Sequence, residues 1–220
     1  MKQLVKILIC VSVFQYATAQ KYIEKAVETK AQLIEIYLDE IDNLTLESSK
    51  NAKVSVELKG DDFALNAINI SEEKSTLIIR ADNPPLFQDQ INKFCVDQPT
   101  IDSYKIIVPQ GLKVRVNITR GNLLVKHFKG DLRITIETGF VELNKIEGDV
   151  NLSIIDGSVI AKLESASINV NSNLGKVHSD LSLKEVFQTE NSYKGMFVNS
   201  KQKLFIKAIK ANIYLEQAKD

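Results

Sequence analysis

Five glycines in the second half of the chain stand nine residues apart. They are Gly121, Gly130, Gly139, Gly148 and Gly157. Ala166 takes the next place in the series, and Gly175 takes the one after it. A small residue that recurs at a fixed spacing indicates a repeated structural unit. This feature therefore constrains the fold more than any other in the sequence.

Apolar and polar residues alternate after each of these small residues. The positions two and four places further on are mostly apolar, as Leu132 and Ile134 are on either side of Arg133. A period of two predicts a short strand with one buried face. The next apolar position lies six places on in one unit, at Ile136, but seven places on in the preceding unit, at Phe128. Two slightly different units alternate, so the full period is 18 residues.

This period predicts an all-β fold built as a single-stranded parallel β-solenoid, or β-helix, with coils of about 18 residues. The repeats and a C-terminal cap would occupy residues 104–220. Successive coils would stack apolar residues in columns, such as Leu132, Val150 and Ile168. An antiparallel meander or sandwich with a hairpin every nine residues also fits the alternation. That alternative gives no reason for the difference between neighbouring units.

The first half of the mature chain is also rich in strands. Alternating apolar residues such as Val54 and Val56 are separated by turn-like polar clusters, without a strict repeat. We predict an N-terminal β segment over residues 20–103 that caps the solenoid, with a separate small β domain as the alternative. Residues 82–103 hold three of the four prolines and are predicted to form a loop. Cys95 in that loop is interpreted as a buried apolar residue, with a reactive or intermolecular thiol as the alternative.

Residues 1–19 have the three-part pattern of a secretory signal peptide. Lys2 and Lys6 give the segment a positively charged start, and the stretch from Leu4 to Phe14 is mostly apolar. The small-residue site Ala17-Thr18-Ala19 predicts cleavage after Ala19. The sequence thus predicts an exported protein, whether periplasmic, cell-surface or secreted, without a transmembrane segment after cleavage. A membrane anchor is the alternative, but the apolar stretch is short for a spanning helix. A lipoprotein acylated at Cys10 is disfavoured by the bulky residues before it.

Composition excludes several classes of function. The 28 basic and 28 acidic residues cancel, whereas a nucleic-acid-binding protein usually carries a basic face. Two Cys and two His leave little material for a metal centre, and we predict no cofactor. Asp131 and Asp149 lie one predicted coil apart, and glycoside hydrolysis needs two carboxylates roughly 5–10 Å apart. Gly-Asp pairs are also typical of turns, however, and we predict that the protein is not an enzyme.

The best candidate ligand-binding residues lie on the outward columns of one predicted face. They are Arg115, Arg133, Asn151, Asn169, Asn117, Thr135, Ser153 and Asn171. A flat and regular polar face suits a glycan or an envelope protein as partner, although a plain solvated surface has the same composition. The opposite face carries a mild apolar stripe of Leu124, Phe140 and Ile160.

Residues 105–150 resemble an adhesin-like β-solenoid family of bacterial exported proteins. The resemblance rests on Pro109 and Gly111, on the glycine row that follows, and on Asp131 and Asp149 directly after two of these glycines. It covers residues 104–183 well and the earlier strands loosely. It implies a surface or envelope protein that binds without catalysis, and it carries over no catalytic residue. A polysaccharide-active β-helix enzyme and a periplasmic scaffold or accessory protein remain the alternatives.

Overall fold

A computed structural model of the protein describes residues 21–60, 68–81, 103–183 and 186–218. The predicted signal peptide and nearly all of the predicted loop, including Cys95, lie outside these residues. The described chain forms only strands and turns, which confirms the all-β expectation. The fifteen strands are β1 (Lys21–Glu28), β2 (Leu33–Ser49), β3 (Lys53–Gly60), β4 (Ile68–Glu73), β5 (Thr76–Ala81), β6 (Ser103–Pro109), β7 (Lys113–Lys129), β8 (Leu132–Glu147), β9 (Val150–Leu163), β10 (Ser167–Ser172), β11 (Val177–Ser179), β12 (Val186–Gln188), β13 (Ser192–Met196), β14 (Lys203–Ala208) and β15 (Asn212–Gln217).

The prediction of a single-stranded parallel β-solenoid is wrong. All fifteen strands belong to one sheet that mixes parallel and antiparallel pairs, and their order in space does not follow the chain. The main path runs β1-β3-β6-β2-β7-β8-β9-β14-β10-β13-β12. Hydrogen-bonding groups are alike on every strand, so a periodic sequence does not specify which strand lies beside which.

The middle of the sheet is parallel, and the repeat spacing sets its register. Residues of β7 pair with residues of β8, and residues of β8 with residues of β9, that lie 18 positions later in the chain, as Leu132 pairs with Val150. The predicted column through Leu132, Val150 and Ile168 holds for its first two members only. Leu204 of β14 lies between Val150 and Ile168. The chain therefore leaves its own period after β9.

Two segments are inserted between strands that lie far from them in sequence. β2 pairs with β7 along nearly its whole length, and its other edge pairs with β5 and β6. β2 is therefore an internal strand of the sheet, whereas β1 and β3, which also belong to the first half of the chain, lie at its end. Near the other end, β14 lies between β9 and β10, and β15 lies between β9 and β11.

The long strands bend so that one side always faces the core. In β7 the buried positions are even-numbered up to 118, odd-numbered from Gly121 to 125, and even again at Phe128. A straight strand would keep one parity. Both shifts coincide with positive φ angles, 147° at Gly121 and 48° at His127. The bends let the inward-pointing Val, Ile and Leu residues of the successive strands form one continuous core.

Antiparallel strands close the parallel stack at both ends. β1 pairs with β3, and β3 pairs with β6, in antiparallel register, and β4 does the same beside β5. At the opposite end, β13 pairs antiparallel with β10, and the three-residue strand β12 follows it. A short outermost strand limits the length of exposed sheet edge.

Candidate binding face

The side chains that point outward from one half of the stack form a regular surface, which we call the ladder face. Its first row runs through Glu35, Arg115, Arg133, Asn151, Phe205, Asn169, Lys194 and Phe187. Its second row runs through Tyr37, Asn117, Thr135, Ser153, Lys207, Asn171 and Ser192. Neighbours in a row lie on adjacent strands, about 4.8 Å apart.

All eight predicted ligand-binding residues lie on the ladder face, and none is buried. The structure brings together three of them in each row. These are Arg115, Arg133 and Asn151 in the first row, and Asn117, Thr135 and Ser153 in the second. Asn169 and Asn171 are separated from these neighbours by the inserted strand β14. Phe205 takes the place beside Asn151, and Lys207 takes the place beside Ser153.

At the β2 end of the ladder face the charged groups are engaged with one another. The Arg115 guanidinium donates to Glu35 at 2.7 Å, and the Tyr37 hydroxyl donates to the same carboxylate at 2.9 Å. The hydrogen bond to Glu35 is the main reason that the pKa of Tyr37 is raised, with burial and the charge of Glu35 adding to it. The Arg80 guanidinium lies 5.0 Å from the centre of the Tyr37 ring. Arg115 is therefore a member of a structural network.

The part of the ladder face around β14 has a different character. Phe205 is 40% exposed, and its strand partners in the first row are Asn151 on one side and Asn169 on the other. Lys203 and Lys207 stand two residues before and after Phe205 on the same strand, and so on the same face. Neither lysine forms an ion pair among the described residues. The exposed Phe205 therefore has an Asn on each neighbouring strand and a Lys on each side along its own strand.

The opposite outer face carries a broken version of the predicted apolar stripe. Glu142 lies between Leu124 and Ile160 in one row, and Phe140 stands in a different row, between Asn122 and Ser158. Further along this face, His178 and Tyr214 stack with their ring centres 5.2 Å apart.

Glu142 on this opposite face binds Lys162 at 2.7 Å. That hydrogen bond raises the pKa of Lys162, against the opposing effect of burial. A cavity of about 200 Å³ at the neighbouring corner is lined by Lys162 and Lys129 among other residues. Lys129 is paired with Glu147 at 2.7 Å, so both lysines already have a carboxylate partner.

Asp131 and Asp149, the two aspartates that follow glycines, each accept a hydrogen bond from a backbone amide. The Asp131 Oδ1 atom accepts a hydrogen bond from the Asp149 backbone N–H at 3.4 Å, and Asp149 Oδ1 accepts one from the Lys203 N–H at 2.9 Å. Each carboxylate therefore ties its turn to the neighbouring strand of the stack.

The described residues contain no group of three or more His, Cys, Asp or Glu side chains that could hold a metal ion. Within the same residues, no helix has the length and apolar character needed to cross a membrane.

Sequence reasoning missed the residues that β14 adds to the ladder face. Phe205 and Lys207 occupy the outward positions of the alternating segment Lys203–Ala208, whose inward positions are the buried Leu204, Ile206 and Ala208. The alternation itself shows that Phe205 points outward. Nothing in it shows that β14 lies between β9 and β10.

Comparison with known proteins places the fold. The structure matches a protein from Clostridium sporogenes described as a "putative cell adhesion protein", with a TM-score of 0.64, 15% sequence identity, and coverage of 90% of this chain and 99% of the other. A "putative adhesin" from Bacteroides fragilis aligns with a TM-score of 0.35 and 12% identity over 90% of this chain and 98% of its own. A "putative lipid binding protein" from Parabacteroides distasonis aligns with a TM-score of 0.29 and 11% identity over 89% and 97%.

The first of these likenesses shows that the chain shares the all-β fold of the Clostridium sporogenes protein. The other two have TM-scores too low to bear on the fold. No model of a known protein family matches the chain, and no curated protein matches it either.

Proposed function

We propose that the protein is an exported, adhesin-like protein of the cell envelope or surface that binds a glycan through the ladder face and catalyses no reaction. The observation that carries this proposal is the exposed Phe205 ring between Asn151 and Asn169. An aromatic ring offers an apolar surface to the C–H face of a sugar. Each carboxamide supplies both donors and an acceptor for hydroxyl groups. The regular spacing of the strands places further polar side chains in line with this ring, Arg133 on one side and Lys194 on the other.

Two further observations support the proposal. The signal-peptide pattern of residues 1–19 favours export. Asp131 and Asp149, the carboxylates that best suited glycoside hydrolysis in the sequence, accept hydrogen bonds from backbone amides. Such positions fit a structural role in turns.

The proposal is tested by calorimetry against a panel of soluble polysaccharides. Phe205→Ala is compared with Tyr214→Ala, a matched control that removes a similarly exposed ring (40% against 37%) from the opposite outer face. We expect Phe205→Ala to weaken binding about tenfold or more, since a ring in a binding site commonly contributes over 1 kcal/mol. Tyr214→Ala should bind as the unchanged protein does, and polysaccharide length should stay constant during incubation.

Three results would contradict the proposal. Equal binding by Phe205→Ala and Tyr214→Ala would show that the ladder face is not the binding site. Absence of binding to every polysaccharide would remove the glycan as ligand. Release of shortened products would show an enzyme, and the non-catalytic part of the proposal would be abandoned.

A protein partner is the second candidate. The end of the stack exposes Phe187 and Met196, each by 61%, and Val198 by 75%. Clustered exposed apolar side chains are a feature of protein–protein contact sites. A partner that binds there would be insensitive to Phe205→Ala, which separates this candidate from the first.

A further inference from the structure

Charge is unevenly distributed over the ladder face. The whole chain has 28 basic and 28 acidic residues. Strands β10, β12, β13 and β14 nevertheless contain three lysines and no Asp or Glu. At the β2 end of the same face, by contrast, the Arg115 cation has the carboxylate of Glu35 beside it. The Asp149 carboxylate lies beside Lys203, where it accepts a hydrogen bond from the backbone N–H, so the three lysines leave the β14 end of the ladder face with a net positive charge.

These three lysines surround the proposed glycan site. Lys203 and Lys207 stand on either side of Phe205 along β14, each roughly 6.6 Å away along the strand. Lys194 follows Asn169 in the first row. All three side chains are exposed, and none has an ion pair among the described residues. Their ammonium groups can reach anions on a ligand that lies over the Phe205 ring.

We infer that the ligand of the ladder face is an anionic glycan, a linear polysaccharide bearing carboxylate or sulfate groups. The inference rests on the proposed function and adds the chemical class of its ligand. Phe205 packs against a sugar ring, Asn151 and Asn169 bind hydroxyl groups, and Lys203 and Lys207 bind anionic substituents on either side. Charge complementarity decides the class, because these four strands contain no carboxylate and the nearest one, on Asp149, accepts a hydrogen bond from the Lys203 backbone N–H.

The test compares three soluble probes. Polygalacturonate carries carboxylates, dextran sulfate carries sulfates, and dextran is neutral. We expect binding to one or both of the anionic probes, no measurable binding to dextran, and weaker binding as the salt concentration rises. Binding to polygalacturonate would identify carboxylates as the recognised groups, and binding to dextran sulfate would identify sulfates.

The double variant Lys203→Gln/Lys207→Gln removes two charges and keeps most of each side-chain stem. Its binding to the anionic probe should fall about tenfold or more, because hydrogen bonds to charged groups are among the stronger ones. The control is Lys30→Gln/Lys50→Gln, which removes two exposed lysines away from the ladder face and should bind normally. Thermal unfolding of both double variants checks that each one folds.

The possible failures are distinguishable. Equal affinity for dextran and the anionic probes, without salt dependence, would overturn the anionic class and leave glycan binding in place. Equal losses in the two double variants would show diffuse attraction of polyanions and would overturn the site. If the protein binds none of the three probes and no other polysaccharide, the proposed function is overturned together with this inference.

Discussion

At the scale of single residues, the glycine series has a steric cause. A Cβ atom at Gly139 would collide with the carbonyl oxygen of Gly121, and one at Gly157 would collide with that of Gly139. Gly148 stands in the same relation to Gly130. The nine-residue spacing therefore consists of two ladders of bends, each with the 18-residue register of the parallel strands. At each bend the backbone of the neighbouring strand occupies the space that a side chain would need.

Gly139→Ala should destabilise the protein by about 3 kcal/mol or more, because backbone atoms must move to admit the methyl group and φ is 154°. Gly111→Ala is the matched control. Gly111 also has a positive φ, 81°, but nothing lies within 4 Å of the added Cβ. We expect it to cost only about 1–2 kcal/mol. Urea unfolding measures both, and equal losses of stability would refute the steric explanation.

At the scale of elements, the insertion of β14 matters most for function. The outward positions of β9 and β10 would form an uninterrupted polar surface if the two strands were neighbours. With β14 between them, an aromatic ring and two lysines enter that surface. The buried residues fit equally well, since Leu204 and Ile206 continue the aliphatic columns of Val150 and Leu152.

Engineered disulfides test this strand order in a background where Cys10 and Cys95 are replaced by Ser. Cysteines at Ser153 and Lys207 lie on adjacent strands, so we expect them to form a disulfide on oxidation. Cysteines at Ser153 and Asn171 are two strand spacings apart, about 9.6 Å, which exceeds the reach of a disulfide. Mass spectrometry of peptides reports the linkage. A disulfide from the second pair and not from the first would place β9 directly beside β10.

At the scale of the whole molecule, strands distant in sequence share one core. β2 belongs to the first half of the chain, yet it is sandwiched between β7 on one edge and β5 and β6 on the other. Antiparallel strands close both ends of the stack. The first described strand begins at Lys21, just after the predicted cleavage site. Removal of residues 1–19 would therefore leave every described strand intact.

Cleavage is expected when the full chain is produced in a bacterial host with an active secretion pathway. The mature protein should begin at Gln20, as N-terminal sequencing of the exported fraction would show. Ala17→Leu/Ala19→Leu replaces both small residues of the cleavage site and should leave the unprocessed chain. A protein recovered only in the cytoplasm with residues 1–19 attached would contradict the prediction of export.

The sequence by itself determined the all-β class, the inward and outward positions of β7, β8 and β9 and the 18-residue register of these three strands. These features depend on local properties, namely the alternation of apolar residues and the absence of a side chain at each bend. It also identified Arg133, Asn151 and their neighbours as outward residues of one face. Only the tertiary structure decided the order of the strands, and with it the position of Phe205 between Asn151 and Asn169. The physical reason is that every strand edge offers the same N–H and C=O groups, so the neighbour is selected by where the chain returns and by core packing over long distances in sequence.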